Sequence, residues 1–299
     1  MIEIWTILMP LLRWMFYPAM LLAVGGVGFA LLMRPSIPAA IDLYLRRITL
    51  RAASAALLLA IAQLPVAAGT LGGDLASAFD PFLLQLVIAA PTGLSALVAT
   101  AGLVLLLVIE RVPSAVPFVI RVVPPVVVIL SMTLIGHATS RGVLTGMLLS
   151  LHLAGIGYWL AALLPLRRMC LAAMDRPASD GAAAGLATLA EEFGRLALVL
   201  VAMLVVAGLC YAALLLGSVS ALFATAYGQV LLTKMALVSG MLGLAAVNRF
   251  RLVPALRTGA AQAASRLRRS SEIEMGIPGL ILLATSRWTT SVSLPMGGM

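Results

Sequence analysis

The sequence predicts an all-α, polytopic membrane protein: one integral membrane domain over residues 1–299, built as a bundle of about eight transmembrane helices. Hydrophobic residues make up 62% of the chain and charged residues only 10%, whereas a soluble domain carries about 25% charged residues. The mean hydropathy is +1.11. The apolar residues also fall in long runs. Because hydrocarbon offers the backbone no hydrogen-bond partner, such runs must fold as helices.

Eight apolar runs come close to the roughly 20 residues that a membrane-spanning helix needs. The predicted spans are residues 9–33, 48–68, 92–109, 116–135, 142–164, 196–216, 228–247 and 273–292. The first contains Gly25-Gly26-Val27-Gly28, whose small residues suit close helix packing. The fourth contains Pro124-Pro125, which should kink or locally unwind it. Since the N-terminus carries Glu3 and no basic segment, we expect a retained helix there and not a cleaved signal peptide.

The distribution of arginine predicts the orientation of the bundle. The formal net charge is +9, and the connections after the first, fifth and seventh spans are basic, whereas those after the second and sixth hold no Lys or Arg. The positive-inside rule therefore places both termini on the non-cytoplasmic side. The longest polar connection is residues 165–195 and the most basic is 249–269. We interpret their arginines as topology signals and contacts to anionic lipid, since no nucleic-acid-binding motif accompanies them.

The chain carries no catalytic signature. It has no G-x-S-x-G, no H-E-x-x-H and no Walker A loop, and no predicted span holds paired carboxylates. We therefore expect that the protein is not an enzyme and does not use ATP directly.

Two histidines form the main candidate site. His137 lies at the outer end of the fourth span and His152 lies in the fifth, and a short connection makes these spans a hairpin. Both imidazoles are thus expected in the outer half of the membrane, where ionisable residues are costly and imidazole is the commonest metal ligand. Sulfur ligands at similar depths would suit Cu(I); the weaker candidates are Met132, Met147 and Cys210. A histidine in a span can also serve as a hydrogen-bonding residue between helices, and His137 can be an interfacial residue.

Three further polar residues lie within or beside spans. Trp159 is seven residues after His152 and shares its helix face. Lys234, near the outer end of the seventh span, either snorkels to the interface or is a buried cation that fixes an anionic group. Glu274 starts the eighth span, where a negative charge favours the helix N-terminus, so we assign it no function.

Several segments resemble one family. Residues 227–234 read Y-G-Q-V-L-L-T-K and residues 248–254 read N-R-F-R-L-V-P. Together they resemble the Y-G-x-x-L-L-x-K…N-R-x-x-L-x-P segment of the copper resistance protein D (CopD) family of bacterial inner-membrane proteins. Similar matches are Gly136-His137-Ala138, Leu151-His152 with Trp159-Leu160, and, more loosely, Phe193-Gly194-Arg195-Leu196 with Gly208. The chain departs from the family at Trp14-Met15-Phe16-Tyr17, where relatives usually carry a histidine.

The resemblance implies copper movement across the inner membrane, in copper homeostasis or resistance, with a small periplasmic copper-binding protein of the CopC type as partner. Our hypothesis is that His137 captures copper, passes it to His152 with help from a sulfur ligand, and lets it cross the bundle. Toward the cytoplasm the sequence offers only Met169 and Cys170 as soft ligands.

Two alternatives stay open at this stage. The two histidines could ligate haem in a membrane b-type cytochrome. The chain could instead be a non-transporting subunit or assembly factor of a larger membrane complex.

Overall fold

The computed structural model describes residues 2–33, 37–112, 116–135, 142–175, 181–216, 218–258 and 262–291, and these form helices and short connections with no strand among them. Within these described residues eleven α-helices follow one another: α1 Ile2–Met33, α2 Ala39–Gly72, α3 Pro81–Ala89, α4 Pro91–Ile109, α5 Phe118–Ser131, α6 Val143–Asp175, α7 Ala182–Leu216, α8 Val219–Ala224, α9 Ala226–Val247, α10 Val253–Arg257 and α11 Ala263–Ser291. Short 3₁₀ segments cover Ser77–Phe79 and Met132–Leu134, and a π-helical turn, Asn248–Leu252, joins α9 to α10.

The predicted all-α membrane class is confirmed. Six described helices are long and apolar enough to cross a bilayer: Ile7–Met33, Ala39–Gly72, Pro91–Ile109, Val143–Asp175, Ala183–Cys210 and Leu231–Arg257. A seventh apolar helix, Phe118–Leu134, is shorter, and α11 covers residues 273–291 of the eighth predicted span. The count of eight, the orientation and the single-domain assignment stay predictions.

The connections are more helical than expected. Residues 165–195 were predicted as a polar connection, yet α6 continues to Asp175 and α7 begins at Ala182. Likewise the π-helical turn, α10 and the start of α11 occupy much of 249–269. Charged residues mark where a helix leaves the hydrocarbon and not where it ends, because a helix can continue from the membrane into water. At 1.5 Å per residue, α6 is about 50 Å long, well beyond the roughly 30 Å of a hydrocarbon core.

The predicted connection 69–91 also contains a helix, α3. Asp80 caps it by accepting a hydrogen bond from the Leu83 N–H at 2.9 Å, and Pro81 supplies the fixed φ of a first helical residue. Just before it, the Asp74 carboxylate accepts hydrogen bonds from the Ser77 side chain and from the Ser77 N–H, the latter at 2.7 Å, and these hold the pKa of Asp74 below its usual value. These caps are local signals that the apolar-run analysis passed over.

Of the kink or local unwinding expected at Pro124-Pro125, the unwinding is wrong, because α5 runs unbroken from Phe118 to Ser131; the kink stays a prediction. Both prolines are buried, and tertiary packing can hold a proline-containing membrane helix together when neighbours satisfy the freed carbonyls.

Two buried apolar clusters follow one another along the bundle, and α1 contributes to both. One joins α1, α2, α4, α5 and α6 around Phe16, Met20 and Leu103. The other joins α1, α2, α6, α7, α10 and α11 around Phe29, Tyr158 and Leu186. We call the end of the bundle beside the second cluster the basic end, since the arginines of residues 167–168 and 249–269 lie there.

The predicted small-residue packing is confirmed at two of its three glycines. A methyl group at Gly25 would overlap the carbonyl group of Gly157 on α6, and one at Gly26 would overlap the Thr49 hydroxyl on α2. A methyl group at Gly157 would in turn lie 2.9 Å from the Leu21 carbonyl oxygen. Around Gly28 there is open space. The backbones of α1 and α6 therefore touch, which requires glycine on both helices.

An ion pair ties α2, α4 and α5 together. The Arg121 guanidinium lies 3.5 Å from the Glu110 carboxylate, and the two side chains are 12% and 10% exposed. The Arg46 side chain donates to the Glu110 carbonyl oxygen with an Nε–O distance of 2.8 Å. The negative charge of Glu110 and the positive charge of Arg121 thus compensate each other.

Substituting Gly25 by alanine should destabilise the bundle, because the added methyl group forces α1 and α6 apart; overpacking of this kind costs about 1–3 kcal/mol. The matched variant Gly28→Ala should be neutral or slightly stabilising, since its methyl group meets open space and alanine is the better helix former. Heating in detergent followed by size-exclusion chromatography measures both. Equal losses of monodisperse protein would contradict the close contact.

Substituting Glu110 by glutamine should lower stability by about 3 kcal/mol, because it removes the charge that compensates a largely buried arginine. The control is Glu191→Gln, which breaks the Arg257–Glu191 pair, whose side chains are 58% and 37% exposed. Such an exposed pair contributes less than about 1 kcal/mol. In the same heating assay, a Glu191 variant as unstable as the Glu110 variant would refute this ranking.

Candidate functional site

The His152 side chain points into the bundle. It lies on α6 and is half-buried, and its Cε1 atom is 3.9 Å from the position that a Cβ on Gly208 would take. The ring therefore lies in the α6–α7 interface, beside Gly208 of α7. His137 lies outside the described residues, so the pairing of the two imidazoles stays a prediction.

The sulfur candidates do not gather around this ring. Met147 is 65% exposed and stands about 140° around α6 from His152. Cys210 is exposed, and it stands about 200° around α7 from Gly208, the residue that faces His152. Met132 is buried in the first apolar cluster, beside a small cavity that Arg13 and Gln63 also line. Within the described ranges, no group of three or more His, Cys, Asp or Glu side chains is placed to hold a metal ion.

Trp159 belongs to an aromatic group at the basic end. Its ring meets Phe193 edge-on at 6.0 Å, and Phe193 stacks on Tyr158 at 6.0 Å, with Phe29 completing the group. This packing fixes α1, α6 and α7 relative to one another. For Lys234 the structure describes the backbone within α9 but not the side chain, so both interpretations of Lys234 stay predictions.

A cavity of about 180 Å³ opens beside Trp159, between α6, α7, the π-helical turn and α11. Its lining is mostly apolar, with polar groups at Trp159, Asn248, Arg249, Ser271 and Glu274. A largely apolar pocket with a few converging polar groups is the usual form of a small-molecule binding site. The apolar runs of the sequence do not predict this cavity.

Glu274 is the most buried charged residue of that lining, with 2% of its surface exposed. The Asn248 side-chain amide donates to its Oε1 at 2.5 Å. The sequence-based expectation that Glu274 starts a helix and is favoured by the helix N-terminus is wrong. α11 begins at Ala263, about three turns earlier, so no helix N-terminus compensates the carboxylate.

Comparison with known proteins agrees with the resemblance. The family model described as Copper resistance protein D matches residues 187–288, and the model described as Copper resistance protein D-like, N-terminal domain, matches residues 1–147. The chain belongs to the copper resistance protein D family. Copper resistance protein D of Pseudomonas syringae pv. tomato is 34% identical over 141 residues, which is 44% of this chain and 44% of that protein. No solved structure matches the chain.

Several of the residues that carry the copper resistance protein D resemblance meet at the cavity. Trp159, Phe193, Gly194, Asn248 and Arg249 all line it, although they come from three separate segments of the chain. A Cβ on Gly194 would lie 2.6 Å from a terminal nitrogen of Arg249, so glycine there admits the guanidinium group. The sequence motifs indicate these residues separately, and only the fold shows that they line one cavity.

Proposed function

We propose that this chain moves copper ions across the bacterial inner membrane, for copper homeostasis or resistance, through an outer-half site that contains His137 and His152. The observation that carries the proposal is the His152 imidazole held between α6 and α7, in a member of the copper resistance protein D family. An ionisable ring inside a membrane bundle is costly, and such residues mark ion pathways.

The two imidazoles are the principal proposed ligands. Neutral imidazole binds both Cu(I) and Cu(II), and sulfur ligands would favour Cu(I). Because Met147 and Cys210 face away from His152 and Met132 lies in the core, these three are secondary proposals. Copper is the cargo here and undergoes no proposed covalent chemistry, which accords with a transporter and not an enzyme.

The proposed surroundings follow from the same assignment. The chain would sit as a multi-pass protein in the inner-membrane bilayer, its basic end toward the anionic cytoplasmic leaflet. A small periplasmic copper-binding protein of the CopC type would deliver copper near His137, and other membrane subunits could join it. Trp159 is proposed as the residue that separates the outer site from the basic-end cavity, and Lys234 as an outer cation.

The alternative functions gain nothing from the comparisons. Both family models are named for copper resistance, and this does not favour a cytochrome. An absorption spectrum of the purified protein separates the cytochrome from the copper transporter, since bound haem gives a Soret band and bound copper does not.

The His152→Ala variant should bind copper at least about tenfold more weakly than wild type, because losing a ligand costs no less than losing an outer-shell partner. The purified protein is loaded at buffered free copper, with and without a reductant, and metal per chain is measured. Leu144→Ala is the control, since that side chain lies on the same helix and is 61% exposed, and it should bind copper like wild type. Equal copper in wild type and His152→Ala would remove His152 from the site.

A further inference from the structure

The basic-end cavity holds a carboxyl group in a setting that suits the protonated acid. We propose that Glu274, paired with Asn248, is a proton-binding site, and that its loading is coupled to copper movement through the bundle. The coupling rests on the proposed copper transport, whereas the proton site stands on the geometry alone. Glu274 would accept a proton at Oε2 as the carboxylate and release it from the carboxyl group.

The hydrogen bonds of Asn248 carry this proposal. Its amide nitrogen donates to Glu274 Oε1 at 2.5 Å, while its amide oxygen, Oδ1, is buried and has no hydrogen-bond partner. A primary amide and a carboxylic acid can form a cyclic pair of hydrogen bonds, N–H to one acid oxygen and acid O–H to the amide oxygen. A carboxylate has no proton to donate, so Asn248 Oδ1 can be satisfied by this neighbour only when Glu274 is protonated.

The charges around the cavity are largely committed to other partners. Arg167 and Arg268 pair with Glu272, and Arg257 pairs with Glu191. Arg249 lines the cavity, but its guanidinium packs on Gly194 and lies 5.8 Å from the Phe250 ring centre. No ion pair to Glu274 is formed within the part of the chain that the structure describes. Since burial in an apolar site disfavours an unpaired charge, a proton is the counter-cation available there.

The ionisable groups on the elements that surround Glu274 can be named in full for the described side chains near this end. They are Tyr158, Arg167, Arg168, Cys170 and Asp175 on α6; Glu191, Glu192 and Arg195 on α7; Arg249 and Arg251 on the π-helical turn; Arg257 on α10; and Arg266, Arg268, Arg269 and Glu272 on α11. The described part of α1 brings none to this end. Of these groups, Arg249 shares the cavity lining with Glu274.

Position explains how a proton here could affect transport. Asn248 lies in the π-helical turn that ends α9, and Glu274 lies on α11. Such turns often occur at functional sites. Protonation adds a second hydrogen bond across this junction, and deprotonation removes it. The contact between α9 and α11, beside Trp159 of α6, would therefore tighten and loosen as the proton binds and leaves.

The first test reads the proton itself. Infrared difference spectra of the purified full chain, recorded between two pH values, should show the carbonyl stretch of a protonated carboxyl group that titrates. Glu274→Gln should lose that band, and this variant should fold because glutamine can make both hydrogen bonds to Asn248. Glu272→Gln, a carboxyl group two residues earlier that pairs with two arginines, should keep it.

The Asn248→Leu variant tests the hydrogen bond, since removal of this partner should shift the infrared band of the Glu274 carboxyl group. A band that does not titrate, or that survives in Glu274→Gln, would overturn the proton site.

The second test reads the coupling in proteoliposomes with copper outside and an imposed pH gradient. The rate of copper entry through the wild-type protein should change severalfold when the pH gradient is reversed. The rate through Glu274→Gln should be the same for both gradients. A wild-type rate that does not depend on the gradient would overturn the coupling. Failure of every variant to move copper would overturn the proposed transport and the coupling with it, while the infrared result would still decide the proton site.

Discussion

The backbone contact between α1 and α6 at Gly25 and Gly157 is the constraint on which the arrangement depends. Lipid offers no hydrophobic force between membrane helices, so association relies on close packing of small residues. Here the two helices touch with no side chain between them. The contact places α6 in the interior, where it shares one apolar cluster with α4 and α5 and another with α7 and α11. The contact at Gly157 therefore sets where the polar side chains of α6 lie in the bundle.

Two such groups lie on either side of the contact. His152 precedes Gly157 by five residues and faces α7 at Gly208, whereas Trp159 follows it by two and lines the basic-end cavity. The two residues are about 10 Å apart along the helix. One helix therefore connects an imidazole toward one end of the bundle with a carboxyl-containing cavity toward the other. Copper handling and proton handling, as proposed, would use the two ends of the same rigid element.

Glu274 differs from the acids that form ion pairs in the described part of the chain. Glu272 pairs with Arg167 and Arg268, and Glu110 pairs with Arg121. Glu274 is more buried than any of these acids and accepts an amide hydrogen bond in place of an ion pair. A buried acid bonded to a neutral amide can exist in two protonation states without breaking up the core, which a buried salt bridge cannot do.

The sequence by itself determined the class of the protein, the position of the apolar helices and the family to which it belongs. Hydropathy is summed over about twenty residues, so the class and the helix positions can be predicted without knowing which helices pack together. The family follows from local motifs. It also indicated that Gly25 and Gly26 would meet other helices. The tertiary structure alone decided that Met147 and Cys210 turn away from His152, that α6 and α7 extend past their apolar runs, and that Asn248 meets Glu274. Which way a side chain points depends on the rotation of its helix, and that rotation is set by contacts with residues distant in the chain.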